Sequence, residues 1–527
     1  VNRKPIAAPA LLALAFLTSS ALAQTASFDR TVTISDHQQP AIPRPDQDAA
    51  AAAKLAEFEA RTGKKPNILW IVIDDMGWGD PGGYGGGEAI GAATPNMDRL
   101  AAEGLRLTST YSQQTCTPTR SAILTGRLPV RTGLTRPILA GDKITANPWA
   151  DEISLPTLLG DAGYNTLLVG KWHVGEVEGM RPQDIGFDEF YGFYSAAKEI
   201  TQGLDPARYP DLNLRAEFKD DYDELGNEIN LEHGFKGGET TVAIPTLTTH
   251  DMAEADIRLR DFSVQKIAEL AAQDKPFFLE HAFMKVHTDN YASDEYKGKS
   301  AAGWPYTDAV VEVDGIIGDL VAALDKAGVL DRTFIFITSD NGPQMDGWPD
   351  SGFTPFRGAK GTTWEGGVRV PGIAYWKGMI SPGRVSDGLF DLMDLFNTAL
   401  TLAGASDKLP QDRYMDGVDQ TSFLLSDDGQ SEREQVYFWM GTTFAAMRMH
   451  ELKIHQKVIL PQNDFLWIDQ ATMNDVGTAP WLFNLYIDPK EQYAVGHRMS
   501  AWLATMGTEM KAHGATFIKY PPKKIGL

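Results

Sequence analysis

Short apolar runs alternate along the chain with longer stretches in which apolar residues recur every third or fourth position. Residues 68–73, 166–169, 277–279, 334–337 and 373–376 are almost wholly apolar, the pattern of strands buried on both faces. Residues 96–103, 155–162, 256–272 and 308–327 carry the helical period instead. Alternation of the two predicts an α/β fold, a central and mostly parallel sheet flanked by helices. Four of the strands run straight into polar or charged clusters: Asp74-Asp75, Gly170-Lys171-Trp172-His173, Lys285-Val286-His287 and Ser339-Asp340-Asn341. Ligands of open α/β sheets bind beyond the carboxyl ends of the strands, so these four clusters are expected to converge.

The texture changes after about residue 425, where short strand-like runs at 436–439, 445–449, 452–456 and 483–486 are closed by a helical stretch at 500–512. At the other end, Arg3 and Lys4 precede an apolar run at 10–17, and Ala21-Leu22-Ala23 offers a small-x-small cleavage site before Gln24. The expected organisation is therefore a signal peptide at 1–23 and a proline-marked tether with an alanine-rich helix at 24–65. A catalytic domain at 66–425 and a C-terminal subdomain at 426–527 follow. The apolar run is too short to span a bilayer, and no later stretch reaches about 18 uninterrupted apolar residues. A periplasmic or secreted protein without a membrane span is expected.

Among 527 residues, 43% are hydrophobic and 22% charged, with a formal net charge of −22, an ordinary globular composition with an acidic balance. No basic run supplies a nucleic-acid footprint, so a nucleic-acid partner is excluded. The overall field repels anions, and an anionic substrate would need a local basic pocket. No pattern in the chain sets an oligomeric state.

The chain has one cysteine, Cys116, which cannot form an internal disulfide. It is either a small buried hydrophobe or a reactive group. Pro118 suits a first helical turn and Gly126 a stop, which places Cys116 just ahead of a helix N-terminus, with Arg120 one turn on. Asp74, Asp75, Asp340 and Asn341 end two apolar strands; they either cap turns or offer hard oxygen donors for calcium or magnesium. Lys171 and His173 share one face of an extended segment. Gly82 to Gly87 has no Gly-Lys-Ser/Thr after it and reads as a turn that lets backbone pack near a metal, not as a phosphate loop. Trp304, Tyr306, Trp348 and Phe353 are candidates for an aromatic platform.

Cys116-Thr117-Pro118-Thr119-Arg120, followed by Leu124-Thr125-Gly126-Arg127, resembles the first signature of the type I, formylglycine-dependent sulfatases, arylsulfatase-like members of the alkaline phosphatase superfamily. Thr119 stands where many members carry serine. The run from Gly163-Tyr164-Asn165-Thr166 to Gly170-Lys171-Trp172-His173 resembles the second signature, and the segment 356–371 around Lys360 resembles a third family segment. With the C-terminal motif Leu482-Phe483-Asn484-Leu485-Tyr486-Ile487-Asp488-Pro489, the likeness spans about residues 66–493.

The resemblance implies an alkaline-phosphatase-like sandwich with a small C-terminal antiparallel sheet. It also implies hydrolysis of small-molecule or carbohydrate sulfate esters to inorganic sulfate and a phenol or alcohol. Cys116 would be oxidised by a formylglycine-generating enzyme, and the hydrated aldehyde would be the nucleophile. Asp74, Asp75, Asp340, Asn341 and the modified Cys116 would hold one calcium, with magnesium as the alternative. Arg120 would steady the nucleophile, Lys171 and Lys360 would bind sulfate, His287 would protonate the leaving oxygen, and His173 would act as base. The prolines usual around that histidine are missing from Met284-Lys285-Val286-His287-Thr288-Asp289, which leaves His281 as its rival. Competing activities are a phosphonate or phosphodiester hydrolase of the same superfamily and a non-catalytic binder of sulfated glycans.

Overall fold

Seven consecutive buried positions make β1 (Asn67–Ile73) an interior strand that packs on both faces. Ile68 and Trp70 enter one core with Phe58, Leu155, Leu159 and Phe396, while Leu69, Ile71 and Ile73 enter a second with Leu259, Ile267, Val313 and Ile317. The two cores lie on opposite sides of one sheet, giving helix, sheet and helix layers. The computed structural model describes residues 30–523 except 139–141, 143, 145, 196–204, 206, 209–229, 246–247, 460–472 and 478, so the signal-peptide segment lies outside the described residues.

The remaining strands of this sheet are β2 (Leu105–Tyr111), β3 (Asn165–Lys171), β4 (Glu189–Phe193), β5 (Leu231–Phe235), β6 (Thr240–Ile244), β7 (Phe277–Ala282), β8 (Thr333–Ser339), β9 (Arg369–Tyr375), β10 (Arg384–Ser386) and β11 (Phe390–Asp391). Their order is β10-β2-β9-β8-β1-β7-β3-β4-β5-β6, with β11 also on β2. Strands β8, β1, β7, β3 and β4 are mutually parallel, whereas β9 runs antiparallel to both β8 and β2. Four carboxyl ends of the parallel block therefore face one way, those of β1, β3, β7 and β8. All four precede the polar clusters read from the sequence.

Each of the five strands predicted for this sheet is present and longer than its apolar run. The run at 277–279 grows to Phe277–Ala282 because Glu280 and His281 are buried in mid-strand, and 166–169 grows to Asn165–Lys171 because a buried lysine ends it. Gly170 lets β3 approach β7: at φ 113° it has room for no side chain, since a Cβ would meet the Ala282 carbonyl oxygen at 1.7 Å.

The C-terminal part forms an antiparallel sheet of β12 (Gln435–Met440), β13 (Thr443–Met449), β14 (Leu452–His455) and a strand at Trp481–Asn484. Leu452, Ile454 and Leu482 pack there with Met506 of the last helix, Ser500–Lys519, which runs past its predicted end. The alanine-rich helix, Pro45–Thr62, is docked through Ala51 and Phe58 into the first core. No helix among the described residues is long and apolar enough to cross a membrane.

Candidate active site

Thr115 is extended, at φ −152° and ψ 171°, and the helix Cys116–Thr125 starts immediately after it. Cys116 is therefore the first residue of the helix, not the residue ahead of it, because the Thr119 N–H already bonds to the Thr115 carbonyl at 3.1 Å. Pro118 sits inside the first turn, where its missing N–H costs nothing. The Sγ of Cys116 is buried, and its ligand atom and those of Asp74, Asp75 and Asp340 all lie within 4.8 Å of one another. Burial pushes its thiol up to about 12, against the pull of Lys171 and Lys360.

Three cations interleave with the three carboxylates. Lys171 Nζ donates to Asp74 Oδ2 at 2.5 Å. Lys360 Nζ lies 2.7 Å from Asp75 Oδ1 and 2.8 Å from Oδ2. Arg120 donates Nε and Nη2 to Asp340 Oδ2 at 3.0 and 2.9 Å, and Nη1 to the Lys171 carbonyl at 2.8 Å. Burial works against charge on Asp75, yet Lys360, His287 and Lys171 hold it down at about 2. Asp340 goes the other way: burial and the Asp74 carboxylate push it up to about 6 despite Arg120.

Asn341 Nδ2 donates to Asp75 Oδ1 at 2.6 Å, and among the described residues its Oδ1 and Asp74 Oδ1 are buried without a partner. Two orphaned oxygen acceptors beside two further carboxylates form a set of hard donors. Those oxygen donors suit calcium or magnesium.

The histidines divide by strand geometry. His287 Nε2 stands 3.6 Å from Asp75 Oδ2, and burial holds the ring down at about 3, neutral at ordinary pH. His281 is inside β7, pairs through Nδ1 with Ser263 Oγ at 2.9 Å and packs in the second core's layer beside Phe283, away from the carboxylates. His173 takes a left-handed φ of 60°, and its Nε2 is 2.9 Å from the Ile138 carbonyl. Burial lowers its pKa well below the ordinary histidine value, and its Nδ1 has no partner among the described residues.

Some expected members do not reach this site. Lys285 turns away to Glu312 Oε1 at 2.7 Å, and its backbone N–H bonds to Asp256, so that cluster contributes His287 alone. Tyr306 is buried with its hydroxyl on Asp80 at 2.6 Å, which removes it from any aromatic platform, whereas Trp348 and Phe353 are exposed. The glycine run packs on the turn that follows β1. A Cβ on Gly86 would meet the Gly79 and Asp80 carbonyls at 2.2 and 2.3 Å, so the run lies against that turn.

Sequence reading missed Asp80, which accepts from Gly77 N–H, Phe353 N–H and Tyr306 and so ties the exposed Phe353 loop to the end of β1. It also missed the Arg208 pair beside His287, where Nη1 is 3.0 Å from both Asp289 Oδ1 and Asp350 Oδ2. These partners are far apart in the chain and carry no local motif.

A buried cysteine on a helix N-terminus, hard-oxygen donors and flanking lysines lie together at the carboxyl edge of this sheet, the arrangement of an ester hydrolase with the alkaline-phosphatase-like fold. The sulfatase family model matches residues 66–405. N-acetylgalactosamine-6-sulfatase of Canis lupus familiaris is 35% identical over 464 residues, covering 83% of each chain. Human arylsulfatase A is 35% identical over 398 residues, 74% of this chain and 72% of its own. The crystal structure of the sulfatase PsFucS1 from Pseudoalteromonas sp. superposes with a TM-score of 0.91 at 52% identity, over 95% of this chain and 100% of that one. The chain belongs to the sulfatase family, and its activity is the hydrolysis of sulfate esters.

Proposed function

We propose that this sulfatase cleaves sulfate monoesters with a formylglycine made from Cys116 by a formylglycine-generating enzyme, supported by one calcium ion. The convergence of Cys116 with Asp74, Asp75 and Asp340 within 4.8 Å carries the reading. When formed, the hydrated aldehyde supplies an oxygen nucleophile with a second hydroxyl through which sulfate can be released. A divalent ion held by Asp74, Asp75, Asp340, Asn341 and residue 116 supplies positive charge for that oxygen and for the sulfate.

The chain's own residues do the rest. The three cations Arg120, Lys171 and Lys360 offset the three carboxylates, so a bound divalent ion leaves the cleft positive on a chain of net charge −22. Lys171 and Lys360 hold the sulfuryl oxygens, and Arg120 fixes the helix turn that bears residue 116. Once protonated, a form that the Asp75 carboxylate favours against burial, His287 donates its proton to the departing oxygen, and His173 accepts one from the nucleophile's remaining hydroxyl. Tryptic mass spectrometry tests the modification: the peptide should carry an aldehyde at position 116, and full activity with an intact thiol would refute the reading.

We read the leaving group as a sugar hydroxyl. The charged rim of Arg208, Asp289 and Asp350 beside His287 offers polar contacts that a sugar satisfies and a flat apolar ring does not. The 35% identical N-acetylgalactosamine-6-sulfatases support the same class. A panel of sulfated sugars beside aryl and steryl sulfates decides it, and higher kcat/KM on the aryl or steryl esters would overturn it. Export through residues 1–23 to the periplasm or beyond completes the proposal.

A further inference from the structure

Lys360 sits on a segment whose ends are held from outside the catalytic sheet. Within the segment, Lys360 N–H bonds to the Pro343 carbonyl at 3.0 Å and Gly361 N–H to the Gln114 carbonyl at 2.7 Å. These two bonds tie it to the loops that follow Asn341 and precede Cys116. The third anchor is Glu491, which lies beyond the residues 66–405 matched by the family model. Its Oε2 accepts from Glu365 N–H at 2.8 Å, and its main-chain carbonyl accepts from Arg357 Nη1 at 3.1 Å. One residue thus closes both ends of the stretch that carries Lys360.

Glu491 is itself fixed. It is fully buried, its backbone takes a left-handed φ of 50°, and its Oε1 pairs with His455 Nε2 at 2.7 Å and Lys453 Nζ at 3.5 Å. Lys453 also reaches Glu365 Oε1 at 2.9 Å, so β14 braces both carboxylates at once. Arg357 stacks 3.6 Å over Trp364, whose Nε1 donates to the Ile459 carbonyl at 3.0 Å. A buried carboxylate is retained at a desolvation cost that an apolar residue would avoid, and here its Oε2 is bonded to the Lys360 segment, where the main-chain carbonyl of the same residue also holds Arg357.

We propose that Glu491 is a positioning residue that sets Lys360 for sulfate binding, which makes the C-terminal segment part of the site's function. This rests on the reading of Lys360 as a sulfate ligand. A charged group that grips a small anion loses most of its effect when displaced by about 1 Å, so a loosened segment should be felt as weaker sulfate binding.

The test is calorimetric titration of inorganic sulfate into the purified full-length protein, with thermal unfolding alongside. Glu491→Ala keeps the main-chain carbonyl that holds Arg357 but releases Glu365 N–H and should weaken sulfate binding by about tenfold; Arg357→Ala, which releases the other end, should weaken it too. Glu491→Gln keeps an acceptor for Glu365 N–H and should restore binding to within about threefold of wild type. Leu482→Ala, in the core of the same sheet, should lower Tm and leave sulfate affinity unchanged. Unchanged affinity in Glu491→Ala overturns the proposal, as does an equal loss in Leu482→Ala. If Glu491→Ala does not fold, Arg357→Ala and Glu491→Gln carry the comparison. Unchanged affinity in Lys360→Ala would instead refute the reading of Lys360 itself.

Discussion

Arg120 grips a single oxygen of Asp340 with two nitrogens, Nε and Nη2, at 3.0 and 2.9 Å. Its third nitrogen holds the Lys171 carbonyl, so one guanidinium joins the Cys116 helix, the end of β8 and the end of β3. A fork of this kind cannot be reproduced by a point charge. Arg120→Met should leave Asp340 buried beside Asp74 without its cation and cost about 3–5 kcal/mol. Denaturant unfolding checks this; a variant as stable as wild type would show that another group neutralises Asp340.

Cys116→Ala should abolish sulfate ester hydrolysis while leaving the unfolding midpoint close to wild type. The side chain is small, and among the described residues no hydrogen bond involves its sulfur. Cys116→Ser tests the second-hydroxyl argument, because a serine can be sulfated but cannot release sulfate by collapsing to an aldehyde. Steady turnover by the serine variant would contradict it.

His287→Ala should slow esters of poor leaving groups by about 10²–10⁴-fold and nitrophenyl-type esters far less, since an acidic phenol needs little protonation. His281→Ala should instead lower stability, because it strips Ser263 of its partner inside the sheet, and leave the leaving-group dependence unchanged. A plot of log kcat/KM against leaving-group pKa separates the two, and equal slopes for wild type and His287→Ala would remove His287 from the role.

Much of this site could be read in advance because each parallel strand ends in the residues that act. Asp74-Asp75 follow their apolar run directly and Asp340-Asn341 follow theirs after Thr338 and Ser339, and a parallel sheet delivers such ends to one edge. What the pattern could not show is direction. Lys285 and His287 are two positions apart, yet the lysine serves Glu312 and the histidine faces Asp75. Nor could periodicity find Glu491 or Asp80, whose importance comes from groups donated by distant parts of the chain, the Phe353 N–H and Tyr306 hydroxyl to Asp80 and the Glu365 N–H to Glu491.

Chelation should lower activity and thermal stability together. Without a metal ion, Asp74, Asp75 and Asp340 face one another, paired with Lys171, Lys360 and Arg120. Calcium added back should restore both properties, and elemental analysis should find about one ion per chain. Asp340→Ala should lower the metal content. Stoichiometric zinc, or full metal content in Asp340→Ala, would contradict the assignment of the ligands.

The N-terminal helix should loosen in alkali. Glu432 faces Asp48 at the start of the helix Pro45–Thr62 and accepts from Ser422 Oγ at 2.6 Å, and Ser422 in turn receives Gln47 Nε2 at 2.9 Å. Burial, then the Asp48 carboxylate, push Glu432 up to about 8 from an ordinary 4.5, while Ser422 pulls the other way. A carboxyl raised in the folded state takes up a proton on folding, so its contribution is full below the ordinary value and disappears as pH rises through about 8. Glu432→Gln keeps the Ser422 contact and cannot ionise. It should match wild type at about pH 5 and become the more stable of the two above about pH 8. Hydrogen exchange of the helix amides should show the same crossover. A gap in Tm that stays constant with pH, or one that opens only in acid, would mean that Glu432 is ionised in the folded protein and that the helix is held by other contacts.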